Sequence, residues 1–243
     1  MDKKHADHHR TVVEEFTRQA EKLSNSTFFT DQDVIQRIRK EAGITRGSRV
    51  LDVGCGPGIV TEALAPDAGE ITAFDLTPEM LEKARARCLK SGLKNVLYQQ
   101  GDAEKMPFAE ETFDCIVTRL AAHHFPVPGR AFAEMFRVLK TGGRVVIADI
   151  VSSEDTKEAE LHNALEVLRD PSHVRMLAPR QIRQEMESAG FKIIREDSWV
   201  REREYFEWVN IANSSERVRP LYAVMYNLAK AGIGAGIDLK LSG

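Results

Sequence analysis

The stretch Val50-Leu51-Asp52-Val53-Gly54-Cys55-Gly56-Pro57-Gly58-Ile59-Val60 constrains this chain more than any other. A short apolar run enters a turn with glycine at every second position, and a helix-compatible segment follows. That order reads as a strand dropping into a tight loop and re-emerging as a helix. Glycine there lets the main chain approach a ligand with no Cβ in the way. The first turn of the helix leaves backbone N–H groups facing whatever is bound. A plain strand-to-helix turn is the simpler reading of such a loop taken alone. Spacing narrows the ligand, because a dinucleotide fingerprint G-x-G-x-x-G counted from Gly54 and Gly56 needs glycine or alanine at 59, where Ile59 stands.

Strand and helix patterns alternate on either side of that loop. Helical spacing from His9 to Leu23 and again from Asp31 to Ala42 predicts two helices before the first strand. Residues 1–9, with His5, His8 and His9, read as a frayed polar terminus in preference to a metal-binding tract. Between the two helices, Phe28-Phe29 in a polar loop is either a plug on the core or a lid over a ligand. Glu70–Asp75 reads as a second strand. Its terminal Asp75 suits either a ribose-binding carboxylate or the cap of the helix opening at Thr77-Pro78-Glu79. Asn95–Gln100 is a third strand, and Asp102 after it is either a turn residue or an acceptor for an adenine amino group. Phe113–Thr118 is a fourth strand, leading to the loop Arg119–Pro126 with His123 and His124.

A helix over 131–140, stopped by Thr141-Gly142-Gly143, precedes a nearly continuous apolar run, Arg144–Val151, expected as a central parallel strand. Helices are expected from Glu154 to Arg169 and from Pro179 to Ala189, then a sixth strand from Phe191, and helical structure near Leu221 to Ala231. The fold class is α/β: a Rossmann-like, doubly wound, mostly parallel sheet with helices on both faces. Residues 1–45 are expected as N-terminal helices and lid, 46–152 as the cofactor-binding core, and 153–243 as acceptor-side helices of the same domain.

Composition excludes several alternatives. With 243 residues, 42% hydrophobic and 29% charged, the chain suits one soluble α/β domain. A net charge of −3 supplies no global field for nucleic acid. No apolar run approaches a membrane span, and no signal-peptide core follows the charged start, so a cytoplasmic protein is expected. Three cysteines without a C-x-x-C pair suggest neither disulfides nor zinc, and Cys55 and Cys115 read as small apolar fillers.

Taken together, Asp52-x-Gly-x-Gly-x-Gly, Asp75, Gly101-Asp102-Ala103 and Leu139-Lys140-x-Gly-Gly resemble the motifs of class I S-adenosylmethionine-dependent methyltransferases of the ubiquinone/menaquinone C-methyltransferase type. Ala121-Ala122-His123-His124-Phe125 and the stretch Arg169 to Arg175 are similar to an uncharacterised bacterial branch of that group. The resemblance implies S-adenosylmethionine as cofactor, with no metal. By the same resemblance Asp52 and the Gly54, Gly56, Gly58 loop hold its methionine part, Asp75 the ribose, and Asp102 with Ala103 the adenine. Leu76 and Met80 flank the ring, and Arg119 meets the cofactor's amino group through its carbonyl. The family's seventh strand, antiparallel and set beside the fifth, is expected here to be missing or reduced to Ile237–Leu241, leaving an exposed strand edge.

Methyl transfer from a sulfonium asks for in-line placement, exclusion of water and, for some acceptors, removal of a proton. The acceptor is expected to be a small molecule. His124 is the expected proton acceptor, with His123 as a packed or loop-fixing neighbour. Arg169, His173 and Arg175 are expected on the acceptor side, where the arginines either grip an anionic group or form surface ion pairs. Rival readings are an S-adenosylmethionine-binding enzyme without methyl transfer and a catalytically silent cofactor-binding protein. RNA methylation is disfavoured by the charge.

Overall fold

The computed structural model describes residues 3–212, 215–237 and 239. In chain order these form α1 (Lys3–Asn25), α2 (Gln32–Ala42), β1 (Arg49–Val53), α3 (Ile59–Leu64), β2 (Glu70–Asp75), α4 (Pro78–Lys90), β3 (Val96–Gln100) and β4 (Phe113–Arg119). A short 3-10 turn, Ala122–His124, leads to α5 (Pro128–Val138), β5 (Leu139–Ala148), α6 (Thr156–Arg169), α7 (Pro179–Ser188), α8 (Tyr205–Ile211) and α9 (Ser215–Lys230). The five strands pair in parallel in the order β3-β2-β1-β4-β5. The winding direction reverses beside β1, the point at whose carboxyl edge open α/β sheets bind their ligands.

Alternation along the central strands builds two cores at once. Val50 packs with Cys115, Val117, Val34, Ile38, Val60 and Leu64 on the face covered by α2 and α3. Leu51 and Val53, pointing the other way, pack with Phe74, Ile116, Phe132 and Met135 on the face covered by α5. A sheet buried on both faces in this way is the Rossmann-like α/β architecture. Outside it, α6, α8 and α9 share a smaller cluster around Leu165, Trp208, Val209 and Leu221. All three cysteines are buried and unpaired.

The structure departs from the sequence reading in three places. Helix α1 begins at Lys3 instead of fraying to His9. The face that buries Val12, Ala20 and Leu23 continues back through His9 and His5, so the helix is amphipathic from its start with imidazoles on its inward side. Second, β5 begins at Leu139, takes Thr141-Gly142-Gly143 into its span through a register irregularity opposite β4, and is an edge of the described sheet instead of a central strand. Third, residues 191–204 form no strand. Side chains fasten that segment in place of a ladder: Arg183 to Glu196, Arg195 to Glu41 and Arg37 to Asp197, while Ile194 and Val200 remain exposed. Of the expected last strand, only Ile237 and Leu239 are among the described residues, and neither is in a strand.

Candidate active site

The glycine loop earns its composition position by position. Gly54 and Gly58 lie at φ +65° and +78°, where a Cβ would stand 2.5 Å from that of Ala121 and 2.7 Å from that of Ala84. These two glycines therefore serve the close approach of the β4 loop and α4. Gly56, at φ +52°, is different: a Cβ there meets nothing within 4 Å, so its bare backbone faces open space. Its N–H donates to Asp75 Oδ2 at 2.8 Å, and Thr77 N–H donates to Asp75 Oδ1 at 2.9 Å. Asp75 thus ties the loop to the start of α4 while each oxygen keeps acceptor capacity. Burial raises its pKa above the usual carboxylate value despite those backbone donors.

Asp52 lies one strand away and is 1% exposed. The hydroxyl of Thr61 donates to its Oδ2 at 2.6 Å. Burial, aided by the nearby Asp75 charge, lifts its pKa to about 7 against the opposing pull of that hydrogen bond. Leu76 is partly exposed beside Asp75, whereas Met80 is buried under α1 against Ala20 and Leu23. At the neighbouring corner, Asp102 Oδ1 accepts from Glu104 N–H at 2.8 Å, the geometry of a turn aspartate, and Ala103 packs at the edge of the core. Asp102 Oδ2 stands 3.7 Å from His9 Nε2, so α1 closes over this corner.

Beyond β4 the histidines sort themselves. His123 Nδ1–H donates to Asp149 Oδ1 at 2.5 Å. Asp149 is itself fixed by Ala122 N–H at 2.8 Å and Ile150 N–H at 2.7 Å. Burial alone would lower the His123 pKa, but the Asp149 carboxylate outweighs it and the value is raised. His124 has the opposite setting. Its Nδ1–H donates to the Ser172 carbonyl at 2.8 Å, its ring meets Phe16 of α1 edge-on, and burial with the adjacent His123 pushes its pKa down to about 3. The ordinary imidazole pKa expected for His124 is therefore not what its surroundings give it. His173 donates to Asn163 Oδ1 at 2.9 Å and is pushed down to about 4 by burial and by His123.

The arginines are redistributed too. Arg169 is 9% exposed and committed to Glu166 at 2.7 Å, with its guanidinium over Trp208, so it is a buried ion-pair residue instead of an acceptor clamp or a surface residue. Arg175 is exposed and borders a small crevice shared with Ala122, His123, Asp149, Ile150 and Leu177. Arg119 sends its side chain to the carbonyls of Phe29 at 2.5 Å and Phe28 at 3.2 Å, pinning the loop between α1 and α2 across the site. Burial lowers its pKa to about 10, which leaves it charged at neutral pH.

Two groups that the sequence reading did not single out belong here. Asp149 directly follows β5 as Asp75 closes β2, and an acid at the carboxyl end of a parallel strand was the available signal. Arg203, from the strandless segment, lies 3.9 Å over the Phe28 ring with its buried Nε and Nη2 unpartnered. No periodicity marks it.

A methyltransferase domain family matches residues 51–147. The chain is 33% identical over 227 residues to the uncharacterized methyltransferase YcgJ of Bacillus subtilis strain 168, covering 87% of this chain and 90% of that protein. It also superposes on the YcgJ crystal structure with a TM-score of 0.77 at 32% identity, over 80% of this chain and 83% of that one. The Bacillus halodurans C-125 protein BH2331 gives a TM-score of 0.76 at 34% identity, over 81% and 84% of the two chains. A demethylmenaquinone methyltransferase of Staphylococcus aureus is 33% identical over 139 residues, 56% of this chain and 57% of that protein. Five parallel strands carrying an open glycine loop and an acid at the end of β2, matched along nearly the whole chain by YcgJ, place this protein in the class I S-adenosylmethionine-dependent methyltransferase family.

Proposed function

We propose that the protein transfers the methyl group of S-adenosylmethionine in line to a small acceptor. Proton removal, where the acceptor needs it, falls to His123 oriented by Asp149, with His124 as a neutral wall residue. The observation that carries this reading is the contrast within the glycine loop: Gly54 and Gly58 are filled by protein, while Gly56 alone faces open space beside a carboxylate that retains acceptor capacity. The residues present fit the cofactor at that point. Asp75 would take the ribose hydroxyls, the Gly54–Gly58 backbone the methionine part, and the corner at Asp102 and Ala103 the adenine. The cofactor, when bound, supplies an electrophilic methyl group on a positively charged sulfur.

This chain's own residues supply position, dryness and a proton acceptor. Donation of Nδ1–H to Asp149 leaves the Nε2 lone pair of His123 as the basic atom, and the same carboxylate stabilises the imidazolium that proton uptake forms. His124, held near pKa 3, stays neutral at any physiological pH. A small acceptor fits the cover over the site: α1 lies across it, bonding through His8 Nε2–H to the His124 carbonyl at 3.0 Å and through Gln19 to Asp170 at 3.4 Å. An acceptor with an anionic group has Arg203 to meet, since its unpartnered N–H groups lie under the Phe28 loop.

Calorimetry with S-adenosylhomocysteine and with NAD tests the cofactor, with heat expected only for the former; heat from NAD alone overturns it. Release of S-adenosylhomocysteine from S-adenosylmethionine in the presence of small-metabolite fractions, read by mass spectrometry with the methylated product, tests the reaction. Binding without any methylated product would favour the non-methylating rival.

A further inference from the structure

The histidines at the start of α1 meet two carboxylates of the turn after β3. His5 and His9 stand one helical turn apart, with ring centroids 4.9 Å from each other. His9 Nε2 is 3.7 Å from Asp102 Oδ2, and His5 Nε2 is 3.2 Å from Glu104 Oε2. One ligand atom from each of His5, His9 and Asp102 can be chosen so that all lie within 4.8 Å of one another, the one such grouping of histidine, cysteine and carboxylate among the described residues. Glu104 supplies the independent observation. Its side chain is 4% exposed, Oε1 accepts from Val127 N–H at 2.6 Å, and Oε2 is buried with no hydrogen bond, facing the His5 nitrogen at 3.2 Å. An anionic oxygen buried without a donor needs a cation or a proton.

We propose that His5, His9, Asp102 and Glu104 form a binding site for a divalent transition metal, Zn²⁺ in the first place, that clasps α1 to the β3 corner. The site shares Asp102 with the corner assigned above to the adenine, but metal binding is tested without the methyl donor and does not depend on that reading. Bonds of about 2.1 Å in a tetrahedron set neighbouring ligand atoms about 3.4 Å apart. The His5–Glu104 and His9–Asp102 separations of 3.2 Å and 3.7 Å bracket that value, the ligand atoms of His5, His9 and Asp102 lie within 4.8 Å of one another, and Glu104 moves in to complete the shell. Two imidazoles with two carboxylates suit a borderline cation better than Mg²⁺ or Ca²⁺, which prefer all-oxygen shells. The two histidines come from one helix and the two acids from one turn, so the ion cross-links elements far apart in sequence. With Glu104 drawn in as fourth ligand the tetrahedron has no open position for a reactant, so the role assigned to the ion is structural.

Isothermal titration of the full chain with ZnCl₂, and with CoCl₂ for the visible spectrum of tetrahedral cobalt, tests the site. One saturable equivalent is expected, with the tetrahedral cobalt signature and a rise in thermal midpoint. His5→Ala and His9→Ala place alanine, a strong helix former, on partly exposed helix positions and are expected to fold. Each should weaken the metal by more than the roughly 10- to 100-fold typical of losing a group that only orients a ligand. Hydrogen exchange over residues 3–12 should slow on metal addition in the wild type and not in either variant. Absence of saturable binding overturns the site. So does affinity unchanged in both variants, or binding that disappears instead in His173→Ala, which would put the ion among the buried histidines.

Discussion

Beneath the crevice, position is set by the sheet: Asp52 and Asp75 stand on paired strands, and Gly54 and Gly58 are locked by Ala121 and Ala84. Above it, α1 rests Ala20 and Leu23 on Met80, and it and the loop after it are fastened across the site by polar side-chain contacts, such as His8 to the His124 carbonyl and Arg119 to the Phe28 and Phe29 carbonyls. Floor and roof therefore differ in how they answer substitution. A floor residue should change stability and ligand binding together, through backbone and packing. A roof or acceptor-side residue should change turnover or ligand exchange with the fold intact.

The largest expected effect separates the two histidines. Asn at His123, or Asp149→Asn, removes the oriented base and should lower turnover on a proton-bearing acceptor by roughly 10² to 10⁴-fold, with S-adenosylhomocysteine affinity retained. His124→Asn should cost far less. In the wild type, turnover should rise with pH through the raised pKa of His123, above 6.5, and that limb should vanish in the Asp149 variant. Equal losses at 123 and 124, or a limb surviving in both, would return the base to His124 or remove it altogether.

Within the floor, Gly54→Ala combines a left-handed backbone with a 2.5 Å collision at Ala121 and should cost about 2–5 kcal/mol in denaturant unfolding. Gly56→Ala carries the backbone term alone, about 1–2 kcal/mol, yet should lose cofactor affinity, because its methyl group enters the open space. If the two variants unfold alike and bind alike, the division of labour inside the loop is wrong. Asp75→Ala comes next: about 1.5–3 kcal/mol of cofactor affinity, as for hydrogen bonds to a charged group, together with a fall in thermal midpoint from two released backbone donors. Loss of stability with affinity intact would leave Asp75 as a loop fastener only.

The smallest effect is in Asp52. Its folded pKa, about 7, lies above the unfolded carboxylate value of about 4, so the native state holds the proton more tightly. The stability it contributes is complete below about pH 4 and is lost as pH rises to about 7. Thr61→Val should cost about 1 kcal/mol at pH 5 and more above pH 7, where the hydroxyl supports an ionised partner. A pH-independent cost would mean that Asp52 keeps one protonation state across this range.

The floor was legible in the sequence because its signals are local. Alternating glycines, an acid after an apolar run and the 101–103 corner each follow from what a parallel strand and its turn require. The roof was not, since its inward face opens with histidines and helical periodicity is read from aliphatic residues; hence α1 was expected to begin six residues late. Apolar content made 144–151 read as central and 191–194 read as paired, but a strand's place depends on its partners, which the run itself does not name. Asp149 lay inside an apparent strand and so was not singled out, while Arg169 was placed on the acceptor side or at the surface because a charged residue late in a helix gives no sign of a buried Glu166 one turn earlier.

The alternation along β1 has a further consequence. Asp52 is opposite Ala73 and Val53 opposite Phe74 in the β1–β2 register, and Val50 and Leu51 belong to different cores. Sliding β1 by one residue would exchange those cores wholesale, so the offset between the two acids is quantised by the strand repeat and cannot drift by fractions of an ångström. The loops at the carboxyl edge can then lengthen, shorten or change chemistry while the distance from acid to acid stays fixed.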